Sequence, residues 1–303
     1  MFLTRPIRIR SLRFPRFQAL VAVVKRQWRG RAWWWEVSTA LLLFGLFLLI
    51  AVGLQKTWLE TPWQHTSSTG DRWGHWLQQW ASAAFVASAV LLPLSGVTLG
   101  AYAQPAAIET SDFKAALLTD LTPFELLAGR LFARLRVPVL CWLCSLLFWS
   151  CLQGVLHPLP DIRIFGVLKA HLILLSTLFL FGAIGCLVSG KSSPGRSTTR
   201  SLIVGYTLFL LLTTDLFLFN PILNTMQNPT SSIVMLLFMN PVVAVTTPIK
   251  FDLLRTQWVY DHTIAPDYPF QYPRWPYQML VFLGLTLLLL LIAQKRCAKA
   301  YLS

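Results

Sequence analysis

An all-α polytopic membrane protein is the fold class this sequence predicts, and three observations carry that reading. More than half of the 303 residues are hydrophobic and only 13% are charged, which is more apolar side chain than a soluble core of this size needs. Apolar stretches near the ~20 residues that cross a bilayer begin around Val37, Leu77, Val137, Leu168, Ser201 and Tyr277. The segments between them carry charge, Pro or Gly, and their basic residues alternate in density from one connection to the next. The expectation is a single transmembrane domain over residues 1–303 with six membrane-spanning helices and no folded soluble domain.

The basic residues also give sidedness. Nine Lys and Arg residues, from Arg5 to Arg31, precede the first span without an acid. The loop after that span balances Lys56 and Arg72 against Glu60 and Asp71. Lys114, Arg130, Arg134 and Arg136 mark the next connection and the helix end that follows it. Lys191, Arg196 and Arg200 lie between spans four and five, and Lys295, Arg296 and Lys299 close the chain. The positive-inside rule places both termini and the connections at 104–135 and 189–200 in the cytoplasm, and an even number of spans likewise puts the two termini on one side. The +14 charge therefore points to an oriented membrane protein and not to a nucleic-acid binder. Tryptophans agree, with Trp33, Trp34 and Trp35 at the inner entrance to span one and Trp58, Trp63, Trp73, Trp76 and Trp80 outside.

Within the cytoplasmic tail and interfacial region, residues 1–35, Phe17, Leu20, Val21, Val24 and Trp28 repeat at helical spacing with basic residues around them. That pattern predicts an amphipathic helix lying in the interface, in preference to a cleaved transit peptide. Span two carries ASAAFVASAV followed by Gly96 and Gly100, small residues that let helices approach closely in lipid. Both an interior position and a generic Ala-rich helix fit it. The connection at 222–276 is predicted to be extracytoplasmic. Its SSIVMLLFMNPVVAV half is too short and too interrupted by Asn240 and Pro241 to cross, so a re-entrant segment is expected there.

Few residues invite chemistry. Gly185 to Ser192 spell the phosphate-loop pattern G-x-x-x-x-G-K-S, but the first glycine falls inside an apolar span. Ser193-Pro194-Gly195 follows where a helix should begin, so Gly190 reads as a span end and Lys191 as an anchor. Cys141, Cys144 and Cys151 share a helical face and read as apolar core. His65, His75, His157, His171 and His262 all fall toward the outer side without ligand spacing, so no metal, cofactor or catalytic residue is assigned in this chain. Asp215 is the most deeply placed acid, roughly five residues past the middle of span five, or about 7 Å toward the outer face. It is the candidate for a translocation path, set against a water-reachable interfacial aspartate.

The passage IETSDFKAALLTDLTPFELLAGRL, residues 108–131, resolves into two short helices. Thr110 or Ser111 can cap the first, with Asp112 at its positive end and Phe113, Ala116 and Leu117 on its apolar side. Asp120-Leu121 breaks it. Thr122-Pro123-Phe124-Glu125 is a capping box with proline at the first helical position, and Phe124, Leu127, Ala128 and Leu131 then line one face into span three. The result is an amphipathic elbow joined to a transmembrane helix, with a bend just before that span.

At these residues the chain resembles the membrane (permease) subunits of type-2 ABC exporters. Glu109 matches the family's leading acid, Leu117-Leu118-Thr119 its middle element, Leu121-Thr122 its turn, Glu125-Leu126-Leu127 the next element and Gly129-Arg130 the last pair. Asp120 stands where proline is frequent, and Lys114 lies near a usual glutamate. The resemblance implies that the elbow is a cytoplasmic coupling element docking on a separate ATP-binding subunit, which holds ATP and Mg. Glu109, Thr110, Asp112, Phe113, Leu117, Thr119, Asp120, Thr122, Pro123 and Glu125 are then the coupling residues. It further implies a second permease subunit, identical or related, and a bacterial plasma (inner) membrane. A membrane enzyme acting on a lipid-linked substrate and a non-transporting scaffold are the competing classes. The topology is checked by thiol labelling in sealed cells: Cys297 is expected to react only once reagents reach the cytoplasm, and labelling from outside overturns the sidedness.

Overall fold

A computed structural model describes residues 38, 42, 45, 72–103, 122–156, 164–189, 194–213, 239–249 and 275–302. Its elements are α1 (Arg72–Ala101), α2 (Pro123–Arg134), α3 (Arg136–Leu156), α4 (Ile164–Val188), α5 (Pro194–Thr213), α6 (Pro241–Thr246) with a 3-10 turn at Thr247–Ile249, and α7 (Trp275–Leu302). Among the described residues there is no strand, so the all-α expectation holds. Trp80–Ala101, Ile164–Val188 and Trp275–Arg296 are each long and apolar enough to cross a membrane. At 1.5 Å per residue the 22-residue spans reach about 33 Å, just over the hydrocarbon thickness. Helices α2 and α3 supply a fourth such span as a bent pair. The described part of α5 stops at Thr213, and its apolar portion, Thr199–Thr213, is shorter than a span. Of the first predicted span, Ser38, Leu42 and Gly45 are helical, and its remaining residues lie outside the described set.

The exterior fits a lipid solvent. Leu143, Leu147 and Phe148 on α3, Ile203, Leu210 and Leu211 on α5, and Leu280, Leu283, Leu287 and Leu288 on α7 are all exposed. Apolar surface on that scale is what a bilayer covers. The chain is a membrane-embedded helical protein.

Helix directions follow from the side-chain pairs. Val97 and Ala101 of α1 meet Gly185 of α4, while Gly96 meets Leu178, so these two helices run parallel. Helix α7 is parallel to α4 as well, with Lys169 Nζ 5.4 Å above the Trp275 ring at one end and Arg296 donating to the Leu187 carbonyl at the other. Helix α5 runs opposite, since Ser201 donates to the Gly185 carbonyl while Phe209 stacks edge-on against Phe181. Helix α3 also runs opposite, pairing Trp149 with Phe85 while its start lies near Gly182. Consecutive long helices therefore alternate in direction, as successive crossings must.

Helix α4 is the hub, packed against α1, α3, α5, α6 and α7. A helix apolar all round belongs in such a position. Its tightest contact is with α1. A Cβ added at Gly96 would fall 2.8 Å from the Leu178 carbonyl oxygen, and one at Gly185 would fall 2.9 Å from the Ala101 nitrogen. One at Gly100 would run into the Gly182 carbonyl. Ala81, Ala83, Ala84, Ala87 and Ala89 are buried along the same helix. The structure thus selects the interior position for span two over a generic Ala-rich helix, because small residues bring backbones together where lipid supplies no hydrophobic drive.

Three local expectations change. Gly185 is helical as expected, but a helix does begin at Pro194, where proline's missing N–H costs nothing in the first turn. The phosphate-loop geometry is still not formed, because Gly185 lies in the last turn of α4 and not at the end of a strand. Cys144 and Cys151 are exposed on the outer face of α3 and are not core; Cys141 is partly buried, and only Cys186 is fully buried among the four described cysteines. Asn240 and Pro241 start a helix: the Asn240 side chain accepts from the Val242 and Val243 amides at 2.9 and 3.2 Å. That helix is buried against α1, α4 and α5, so its backbone has the protein cover that a short intramembrane segment requires. Residues 222–238 and 250–274 lie outside the described residues, as do residues 1–35.

Gly100→Ala is expected to lower the thermal-denaturation midpoint in detergent, at a cost of about 1–3 kcal/mol from overpacking. Gly284→Ala, at a position with nothing within 4 Å, is the control and should stay within about 0.5 kcal/mol. Equal midpoints for the two would remove the close α1–α4 contact.

Candidate functional site

The elbow is visible from Thr122 onward. Thr122 has the extended backbone of an N-cap; its hydroxyl accepts from the Glu125 amide at 3.2 Å, and its own amide donates to Glu125 Oε2 at 2.7 Å. The capping box is formed with Pro123 in the first turn. Leu127 and Leu131 join Ala103, Leu178, Cys186, Leu290 and Ala293 in one buried apolar cluster, with Phe124 packed at its edge. Helix α2 then bends by 56° into α3 at Leu135. Leu131 and Leu135 lie over Gly182, where a Cβ would meet their methyls at 3.2 and 3.1 Å.

Of the coupling residues, Thr122, Pro123 and Glu125 are described. Glu125 is only 2% exposed, and its carboxylate is spent on the start of α2. Its printed hydrogen bond fixes the start of α2. Glu109, Thr110, Asp112, Phe113, Leu117, Thr119 and Asp120 lie outside the described residues, and so does Asp215.

A second site was not anticipated from sequence. Helices α1, α3, α4 and α5 enclose a cleft of about 230 Å³. Leu91, Leu92, Leu94, Pro138 and Leu174 form its apolar walls. Ser88, Ser95, Thr98, Ser145, His171 and Tyr206 supply polar atoms to it, and among the described residues no lining side chain is charged. Ser88 to Thr98 covers about 15 Å along α1, within the Trp80–Ala101 span. Pro93 lies inside the same helix and removes one N–H from the α1 ladder.

His171 is the centre of this wall. It is fully buried two turns into α4. Its ring meets Phe85 edge-on at 5.2 Å and Trp142 at 6.3 Å. Nδ1 lies 2.9 Å from the Val167 carbonyl, which can only accept, so Nδ1 carries hydrogen. Among the described residues the one acid, Glu125, lies at the other end of α4, and the aromatic rings around His171 disfavour a charged ring. The imidazole is neutral, and its Nε2 accepts from the Ser145 hydroxyl at 3.2 Å. Trp142 Nε1 donates to the His171 carbonyl at 2.7 Å, tying α3 to α4 a second time.

The Ser145–His171 pair has the elements of a nucleophile and base but lacks the rest of a hydrolytic site. Nδ1 is held by a carbonyl and not by a carboxylate. Ser145 lies in the middle of α3, where neighbouring amides are committed to helix bonds and none is free to stabilise an oxyanion. Among the described residues no group of His, Cys, Asp and Glu is arranged to hold a metal ion.

The missed residues did leave a trace in the sequence. Ser88, Ser95 and Thr98 recur at i, i+7 and i+10, and Pro138, Cys141, Trp142 and Ser145 at i, i+3, i+4 and i+7, each a stripe along one helix face. Which stripes face one another is a tertiary matter. Comparison with family models and with curated proteins finds no match for this chain.

Thr122→Ala and Glu125→Ala are each expected to cost about 1 kcal/mol, read as a lowered midpoint in detergent. The double variant should cost clearly less than the sum, because the two bonds form one reciprocal unit. Strict additivity would show that the box does not act as a unit.

Proposed function

We propose that this chain is the permease subunit of an ATP-driven exporter of the type-2 ABC kind, working with a separate ATP-binding subunit and a second permease. The observation that carries the reading is the elbow. A capped amphipathic helix, bent by 56° into a membrane-crossing helix, follows directly on the passage holding Glu109, Asp112 and Asp120. The helix is packed on α4 and α7. A displacement of the elbow has no soft joint in which to dissipate: Leu131 and Leu135 press on Gly182, and Gly182 presses on Gly100. ATP-driven closure of the partner would tilt α2 and shift α1 and α4, two walls of the cleft. The cleft joins Asp215 as a candidate part of a translocation path.

A membrane enzyme is the second reading, and the Ser145–His171 hydrogen bond is the observation that favours it. It predicts that a serine-directed fluorophosphonate labels Ser145 in the purified chain, whereas the permease reading predicts no such labelling.

Affinity purification from native membranes is the test of the permease reading. An ATP-binding protein with a working phosphate loop is expected to co-purify in a 2:2 complex. Replacing Glu109, Asp112 and Asp120 together by Lys should reduce its recovery at least about tenfold, the loss of ~1.4 kcal/mol or more. Stoichiometric recovery with the triple variant would sink the contact, and absence of any ATPase from the native complex would sink the function.

A further inference from the structure

We infer that the cleft between α1, α3, α4 and α5 binds an uncharged lipid-like molecule through a hydroxyl that donates hydrogen bonds, and that it discriminates against anionic amphiphiles. The inference deepens the permease reading by naming a cargo class, and it rests on that reading only in calling the occupant cargo.

The argument is an inventory of hydrogens. Ser88, Ser95 and Thr98 donate their hydroxyl hydrogens to carbonyls of their own helix, at Ala84, Leu92 and Leu94, with distances of 2.8–2.9 Å. Thr98 Oγ1 is 2.8 Å from the Tyr206 hydroxyl. Since the Thr98 hydrogen is already given to Leu94, Tyr206 is the donor in that pair. Ser145 gives its hydrogen to His171 Nε2, and the imidazole and indole N–H groups go to backbone carbonyls. Every O–H and N–H hydrogen on the lining side chains is therefore committed within the protein. What remains toward the cleft is oxygen lone pairs, on Ser88, Ser95, Thr98, Ser145 and Tyr206.

The Cys141 thiol, a weak donor, is the other polar hydrogen among the described lining side chains, so a site that offers mainly acceptors suits a ligand that donates. A carboxylate, sulfate or phosphate brings acceptors alone, would meet oxygen against oxygen, and would be desolvated in the membrane interior without a cation. An ammonium head would find acceptors but no counter-charge. A neutral alcohol loses little on leaving water and recovers a hydrogen bond inside. The walls of leucine and proline fit an alkyl or isoprenoid body. At about 230 Å³ the cleft lies below the ~300–1,000 Å³ of sites that enclose a drug-sized ligand, so it houses the head and adjoining carbons.

The test uses the full-length purified chain in detergent, without any ATPase, and two photoreactive probes that share one diazirine-bearing C16 chain. One ends in a primary alcohol and the other in a permanently anionic sulfate. The alcohol is expected to label cleft-lining peptides of α1 and α3 saturably, to be competed by unlabelled hexadecanol, and to exceed the sulfate by about tenfold. Ser95→Phe fills the cleft and should abolish that labelling. Thr98→Val keeps the shape but frees the Tyr206 O–H as a donor, so the alcohol preference should shrink by about threefold to tenfold. Equal labelling by both probes, non-saturable labelling spread over the exposed α3 residues, or an unchanged preference in Thr98→Val overturns the inference. Because no ATPase is present, a chain that shows the preference but never recruits an ATPase retains this inference and loses the permease reading, and the converse result separates them the other way.

Discussion

The rest of the structure depends on the direct backbone contact between α1 and α4. Hydrophobic burial cannot drive two helices together in lipid, so the contact rests on closeness: glycines at 96, 100, 182 and 185 let carbonyls and amides of one helix touch the other. Once α1 and α4 are joined, the other elements are placed on the pair. Helix α5 follows through Gly205, which lies under the Val97 side chain, and through the Ser201 bond to the Gly185 carbonyl. Helix α6 is buried against both members of the pair.

The same glycines make the elbow mechanically relevant. Gly182 has α1 on one side and the Leu131 and Leu135 methyls of the bent helix pair on another. A side chain there would separate the three elements, and flexible packing there would absorb any movement of α2. Close-packed interiors transmit displacement because they deform little. The capping box serves the same purpose at the start of α2, where it holds the direction in which the chain enters the helix.

The cleft shows how a polar lining persists in an apolar setting. Hydroxyl groups on α1 are satisfied by carbonyls of the preceding turn, so the wall has no stranded donor. His171 is satisfied on both ring nitrogens, and its bond to Ser145 ties α4 to α3. The cost of polar atoms at this depth is thus met within the protein, and their lone pairs remain as the recognition surface.

Much of the architecture was legible in sequence because it depends on local rules. Apolar length identified the spans that the structure describes, Thr122-Pro123-Phe124-Glu125 identified the start of α2, and the small residues of span two marked a close-packing helix. Each of these depends on residues a few positions apart. The role of Glu125 was half legible: the capping box is local, but its burial beneath neighbouring helices is not. Cys144 and Cys151 were misplaced because a helical face says nothing about which neighbour covers it. His171, Ser145, Thr98 and Tyr206 come from four different helices, and their meeting depends on how the bundle is assembled. By itself the sequence determined the membrane class, the apolar segments and the capped elbow, since hydropathy and capping act over one or two turns. Only the tertiary structure decided which faces meet, because in lipid that choice is made by backbone approach and hydrogen-bond matching between distant segments.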